Sequence, residues 1–241
     1  MSESELLKKY VNELQVSHDN VYVDLGCSHI SNISKEMVDG SSLSLFIEPN
    51  IAKTNQHPYA NQQNVTLLNK FATPDNIQQI IKDNVKSKEI TILDIDIDSY
   101  DFEVLKSILE IKKPYILMAE VNEKIPYPIK FHVKYDHVWD GSHFFGMSFA
   151  TFCDLVKEDY YVVNLKQNNV FAIRKDATNL QQDSYNDIYN QGYKEPRTKG
   201  NLSNFHYNSN VDHWLNLTPQ DALQSIDKYF ENYHGKYDIG I

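Results

Sequence analysis

The feature that most constrains the fold is an alternation of short apolar runs with amphipathic stretches between residues 21 and 120. Val21-Tyr22-Val23-Asp24-Leu25 stops at Gly26, and runs of similar character recur at 43–48, 65–68, 89–94 and 115–120. Runs of four to six residues rich in Val, Ile and Leu and bounded by turn residues read as strands buried on both faces. Between the last three, Asp75 to Lys86 places Ile77, Ile80 and Ile81 on one helical face, and Tyr100 to Ile111 reads as another helix, capped by Asp98 or Ser99. A further helix is expected before the first strand, where Leu6, Leu7, Tyr10 and Leu14 recur at helical spacing. Strand alternating with helix implies right-handed βαβ units and a parallel sheet covered on both faces. The expected class is therefore α/β, a doubly wound, Rossmann-like sheet.

Past residue 120 the pattern changes. Asn122 to Phe145 is polar, contains Pro and His, and reads as a long loop; Ser148 to Lys157 reads as a helix. Tyr160–Leu165 and Val170–Arg174, joined across Gln167-Asn168-Asn169, read as a hairpin that adds an antiparallel strand to the mostly parallel sheet. Residues 176–210 are rich in Asn, Gln, Tyr and Ser, which fits a lid, an ordered surface extension or a flexible linker. Thr218-Pro219 then opens a terminal helix through Leu223, Ile226 and Phe230. The expected organisation is a domain over 1–175 and a polar extension with its helix over 176–241.

Composition narrows the function classes. With 33 acidic against 23 basic residues and a net charge of −10, the chain lacks the clustered cations that bind a phosphate backbone, so nucleic acid is not an expected partner. No apolar run approaches the ~20 residues of a membrane span, and Met1 to Gln15 is charged where a signal peptide would be apolar. Only two cysteines, Cys27 and Cys153, are present, which fits a reducing cytoplasm rather than a disulfide framework. A small-molecule substrate is the expected partner, with self-association left open.

In doubly wound sheets ligands bind outside the carboxyl ends of the strands. After the first strand stands Asp24-Leu25-Gly26-Cys27-Ser28, and the second strand ends in Glu48, where a carboxylate suits a ribose diol. The dinucleotide fingerprint is absent, because Cys27, Ser28 and His29 occupy the places of its later glycines, and no Gly-Lys-Ser/Thr marks a P-loop. An acidic-x-Gly turn, a second-strand acid, two acid-tipped strands and a closing hairpin resemble the class I S-adenosylmethionine-dependent methyltransferases over roughly residues 20–175. Ile95-Asp96-Ile97-Asp98-Ser99-Tyr100-Asp101 is similar to the Ile-Asp-Val-Glu-Gly-Tyr-Glu signature of FkbM-type O-methyltransferases, with Ser99 in place of its glycine. The resemblance implies that Asp24, Gly26 and Ser28 lie along the methionine portion of the cofactor and Glu48 on its ribose. It places Asn69, Phe71 and Asp94 on the adenine side.

Asp94, Asp96 and Asp98 alternate, as residues sharing one face of an extended strand do; Asp101 follows, and the next strand ends in Glu120-Val121-Asn122. Clustered carboxylates repel unless a cation lies between them, and oxygen donors suit Mg²⁺ or Mn²⁺. The pattern resembles metal-assisted O-methyltransferases, with Asp96, Glu120 and Asn122 as expected ligands and Asp98 or His143 as expected base. Asp98 and Asp101 equally suit the capping of the next helix. The expected activity is O-methylation of a small polar acceptor, a sugar or nucleotide-linked carbohydrate precursor. The alternative is a methyltransferase-like scaffold without catalysis.

Overall fold

A computed structural model describes residues 1–27, 32–50, 52–53, 56–135 and 137–241, with the side chains of 203–206 excepted. Strands β1 (Val21–Leu25), β2 (Leu43–Ile47), β3 (Val65–Leu68), β4 (Ile92–Ile95), β5 (Ile116–Glu120), β7 (Tyr160–Lys166) and β8 (Asn169–Arg174) form one sheet in the order β3-β2-β1-β4-β5-β8-β7. β1 to β5 pair in parallel, and β1 has β2 on one side and β4 on the other, so the strand order reverses between β1 and β4. All five residues of β1 and all four of β4 are buried, as an interior parallel strand requires. Gln167 and Asn168 connect β7 to its neighbour β8, with Gln167 at φ +59°, the left-handed backbone of a tight hairpin turn.

The chain divides into two compact units. The first comprises 1–97, 103–119 and 172–180; the second comprises 98–102, 120–171 and 181–241. This division differs from the expected boundary at residue 175, because the C-terminal stretch shares its unit with residues 120–171.

In the first unit, α1 (Glu3–Asn12) starts with a reciprocal capping box in which Ser2 accepts from Glu5 N–H and the Glu5 carboxylate from Ser2 N–H. Helices α2 (Lys35–Asp39) and α3 (Ile77–Asn84) follow, and α3 buries the expected Ile77, Ile80 and Ile81.

The second unit holds an antiparallel pair that the sequence pattern does not show. Strand β6 (Lys130–Val133) lies inside the expected loop and pairs with β9 (Tyr237–Gly240), Phe131 opposite Ile239. Only Phe131 and Val133 alternate inward on β6, too few for a period-two signal, and the partner lies far along the chain. These strands cover a core of Phe131, Phe144, Trp214, Ile226, Phe230 and their neighbours. Phe144 and Tyr233 stack at 4.0 Å between centroids and 7° between planes. Helix α5 (Phe149–Val156) is capped by Ser148, and α8 (Pro219–Tyr229) by Thr218 with Pro219 at its first position, as expected.

Residues 176–210 are built from short helical turns. They carry α6 (Tyr185–Tyr189), a π-helical turn over Asn190–Lys194, α7 (Glu195–Thr198) and a 3₁₀ segment over Ser203–Asn210. Tyr189 and Tyr193 are buried although both carry polar hydroxyls, because Tyr189 Oη donates to Glu123 O at 2.8 Å and Tyr193 Oη accepts from Asn208 Nδ2 at 3.0 Å. Among the described residues no helix is long and apolar enough to cross a membrane.

Candidate functional site

The reversal of strand order between β1 and β4 is where a doubly wound sheet opens a crevice. There the register pairs Asp24 with Asp94, so two acids on neighbouring strands share one face, both buried. Burial first, then Asp24 and Asp96, push the Asp94 carboxyl well above the usual carboxylate range. Its Oδ2 accepts from Asn32 Nδ2 at 3.4 Å, whereas Oδ1, also buried, meets no hydrogen-bond partner among the described residues. An acceptor left so at a crevice fits a ligand that brings a donor.

Glu48 follows β2 and is buried; its Oε1 accepts from Asn50 N–H at 2.8 Å. Asn69 does not project into open space: its Nδ2 donates to the carbonyls of Glu48 and Pro49, each at 3.0 Å, and so fixes the backbone that carries Glu48. Phe71 is 64% exposed, a surface ring beyond β3. Cys27 is buried, and burial with Asp24, Glu48 and Asp94 nearby raises its thiol, which keeps it protonated and suits packing rather than attack. Ser28 lies outside the described residues.

Gly26 has a structural cause that the sequence does not reveal. Its φ is +87°, and a Cβ built on it would lie 1.7 Å from the carbonyl oxygen of Asp96. The backbones are locked there, Asp96 N–H donating to Leu25 O and Gly26 N–H to Ile47 O, both at 2.9 Å.

The expected alternation of Asp94, Asp96 and Asp98 along one extended face is corrected by the backbone. Strand β4 ends at Ile95, and Asp98 sits at φ +57°, so the chain turns before α4 (Asp101–Leu109). Asp94 stays with Asp24 in the first unit. In the second unit, carboxylate oxygens of Asp98 and Glu120 lie within 4.8 Å of each other, and Glu120 Oε1 accepts from Asn168 Nδ2 at 2.6 Å. Asp96 follows Ile95, whose register partner Ala119 precedes Glu120. Asp101 accepts from Ser99 N–H at 3.0 Å, which ties the turn before α4 to the helix's first residue.

Asn122 does not fit the ligand role expected of it. Its Nδ2 donates to the carbonyls of His143 and Phe145 at 2.8 and 3.0 Å, and its Oδ1 accepts from Lys124 Nζ at 3.1 Å. An amide oxygen facing an ammonium is a poor donor to a second cation. Lys124 itself is buried, 3.7 Å from Glu123 Oε2 and 4.2 Å from the Phe145 ring centroid. Burial lowers its ammonium while Glu123 and Glu120 oppose the shift. Lys124→Met would leave the Glu123 carboxylate buried without its cation, so stability should fall by about 3–5 kcal/mol; a urea midpoint within error of the parent would refute that role.

His143 is half-buried, and its Nε2 lies 3.0 Å from Asn210 Oδ1. Burial and Lys124 lower its imidazole, against the opposing pull of Asn210 and Glu123. The imidazole is therefore neutral at pH 7, the form a base requires. His132 packs on Phe102 at 4.0 Å between centroids and lies 3.5 Å from Asp238, and His137 is buried beside Phe144. Sequence reasoning missed Asn32, Asn168 and Asn210, since an isolated Asn carries no periodicity or spacing.

No protein-family model matches the chain, and no curated protein matches it. Among solved structures it is similar to a candidate hemolysin from Lactococcus lactis, 13% identical with a TM-score of 0.48, covering 79% of this chain and 94% of that one. A candidate hemolysin from Streptococcus thermophilus is 15% identical with a TM-score of 0.46, covering 83% and 75%. Magnesium protoporphyrin IX methyltransferase from Synechocystis PCC 6803, with bound SAH, is 8% identical with a TM-score of 0.43, covering 72% and 84%. All three scores fall below 0.5, so the functional reading rests on the residues of this chain.

Proposed function

We propose that this protein is an S-adenosylmethionine-dependent O-methyltransferase acting on a small polar acceptor of the sugar or nucleotide-linked carbohydrate class. The observation that carries the reading is the buried Asp24–Asp94 register pair at the strand-order reversal, with Asp94 Oδ1 unpartnered among the described residues and Glu48 one strand away. An unpartnered Asp94 oxygen beside two further carboxylates fits a cofactor that presents an ammonium and ribose hydroxyls. The first unit binds the cofactor in this reading: Glu48 holds the ribose, Asn69 fixes the Glu48 backbone, and Asp24 and Asp94 face the donors.

When bound, S-adenosylmethionine supplies a methyl carbon on a sulfonium, open to in-line displacement. For the acceptor, the second unit carries side chains of suitable chemistry. Tyr135, Trp139 and Tyr207 expose ring surface on which a sugar face can stack, and His143 offers a neutral imidazole that would take an acceptor hydroxyl's proton. Asp98 and Glu120, with Asp96 on the same segment as Asp98, form a hard oxygen donor set of the kind Mg²⁺ or Mn²⁺ takes. Asn168 holds Glu120 in orientation, as outer hydrogen bonds do around metal ligands. Such an ion would lower the acceptor hydroxyl's pKa. Asn122 leaves the ligand set for the reason given above.

Calorimetric titration of S-adenosylhomocysteine into chelator-treated protein, with and without Mg²⁺ or Mn²⁺, tests the reading. One saturable site is expected, weakened about 10- to 100-fold by Glu48→Ala, the loss of charge-assisted hydrogen bonds to a ribose. No binding under either condition would favour the scaffold reading, which Gly26 permits, because the approach of the Asp96 carbonyl requires a glycine with or without a cofactor.

A further inference from the structure

His143 and Asn210 form a contact that assigns the proton on the imidazole. Asn210 reaches two partners with its one amide: Oδ1 lies 3.0 Å from His143 Nε2, and Nδ2 donates to Tyr229 Oη at 3.3 Å. With the amide nitrogen directed to the phenol, the oxygen is the group that faces the imidazole, and an amide oxygen only accepts. In this amide orientation His143 Nε2 is the donor and carries a hydrogen. In a neutral imidazole the other nitrogen, Nδ1, then holds the lone pair, and it makes no hydrogen bond among the described residues. The ring is further held by packing: Tyr207 stacks on it at 6.3 Å and 24°, and Tyr229 lies 6.1 Å away. From the other side Asn122 Nδ2 ties down the His143 carbonyl at 2.8 Å.

We propose that Asn210 is a positioning residue that locks His143 as the Nε2–H tautomer, making Nδ1 the atom that accepts a proton. Its catalytic use rests on the methyltransferase reading; the tautomer does not. The proposal gives the 176–210 stretch a task, since Tyr207 and Asn210 both come from its last turns and both address His143. Among the described residues, the charged and titratable groups around the imidazole are Lys124, Glu123, Tyr207 and Tyr229.

The test is a long-range ¹H–¹⁵N correlation spectrum of the full chain with labelled histidine, the His143 signals assigned by their loss in His143→Gln. The expected result is a neutral ring protonated at Nε2, which takes its second proton at Nδ1. In Asn210→Ala the tautomers should mix and the His143 midpoint should fall, since its hydrogen bond favours the cation. In Asn210→Asp the Nε2–H form should persist with the midpoint raised. A wild-type ring protonated at Nδ1, or an Asn210→Ala spectrum identical to wild type, would overturn the assignment. In turnover, Asn210→Ala should lower kcat about 2- to 10-fold with cofactor affinity unchanged, and Asn210→Asp should move the acid limb of the pH profile upward. An active His143→Gln, with the wild-type ring found as the Nε2–H tautomer, would overturn the catalytic use alone. Absent cofactor binding would instead sink the methyltransferase reading, and the spectrum would still decide the tautomer.

Discussion

Gly26→Ala should destabilise the protein by about 2–5 kcal/mol, a drop on the order of 10 °C in Tm. Two causes add. An alanine at φ +87° costs ~1–2 kcal/mol of backbone strain. The new methyl would also fall 1.7 Å from the Asp96 carbonyl oxygen, so the backbone after β4 must move. That movement strains the hydrogen bond from Asp96 N–H to Leu25 O, in the segment that carries Asp96 and Asp98; overpacking of this kind costs about 1–3 kcal/mol. Thermal unfolding of the variant beside Gly141→Ala separates the causes. Gly141 has a similar φ, +83°, but nothing within 4 Å of its Cβ position, so only the strain should appear there. Equal losses at both positions would remove the close approach as the cause.

His143→Gln should lower kcat about 10²- to 10⁴-fold while leaving S-adenosylhomocysteine affinity unchanged, since Gln keeps an amide hydrogen for Asn210 but offers no base. The pH dependence has a definite sign. Burial and Lys124 hold the imidazole below its ordinary value of 6.5, so kcat should stay flat from neutral pH downward and then fall below pH 6.5 as the ring gains its second proton. Asp98→Asn, measured in the same assay, gives the competing assignment: an acid limb lost there but kept in His143→Gln would make Asp98 the base. Full activity of His143→Gln would remove the imidazole from the reaction.

The parallel half of the sheet was legible because its strands are buried on both faces and announce themselves as apolar runs. Val21–Leu25, Leu43–Ile47 and Ile116–Glu120 fall where those runs predict them. Acids at strand ends were legible for the same reason, as they interrupt an apolar run. The second unit was less so. β6 exposes Lys130 and half-buries His132, and its partner β9 is only four residues long, so neither contrasts with a polar loop. The buried Glu123–Lys124 pair reads as surface charge until Asn208 and Tyr189 are brought to it. Asn122 was misjudged because its type suits a metal, whereas its hydrogen bonds depend on the course of residues 143–145.

The β6–β9 pairing also fixes an order of events during synthesis. β6 must wait for β9, about a hundred residues later, which at roughly 5–20 residues per second is on the order of 5–20 s of translation. Throughout that interval Phe131 and Val133 lack the strand that will pair with them, and Trp214 and Phe230 have yet to join their core. A nascent chain in this state displays an aromatic surface and an open strand edge together, the combination that general chaperones bind and that drives aggregation when they are scarce. Lys130 and Lys134 flank the apolar pair, as charged gatekeeper residues flank aggregation-prone strands.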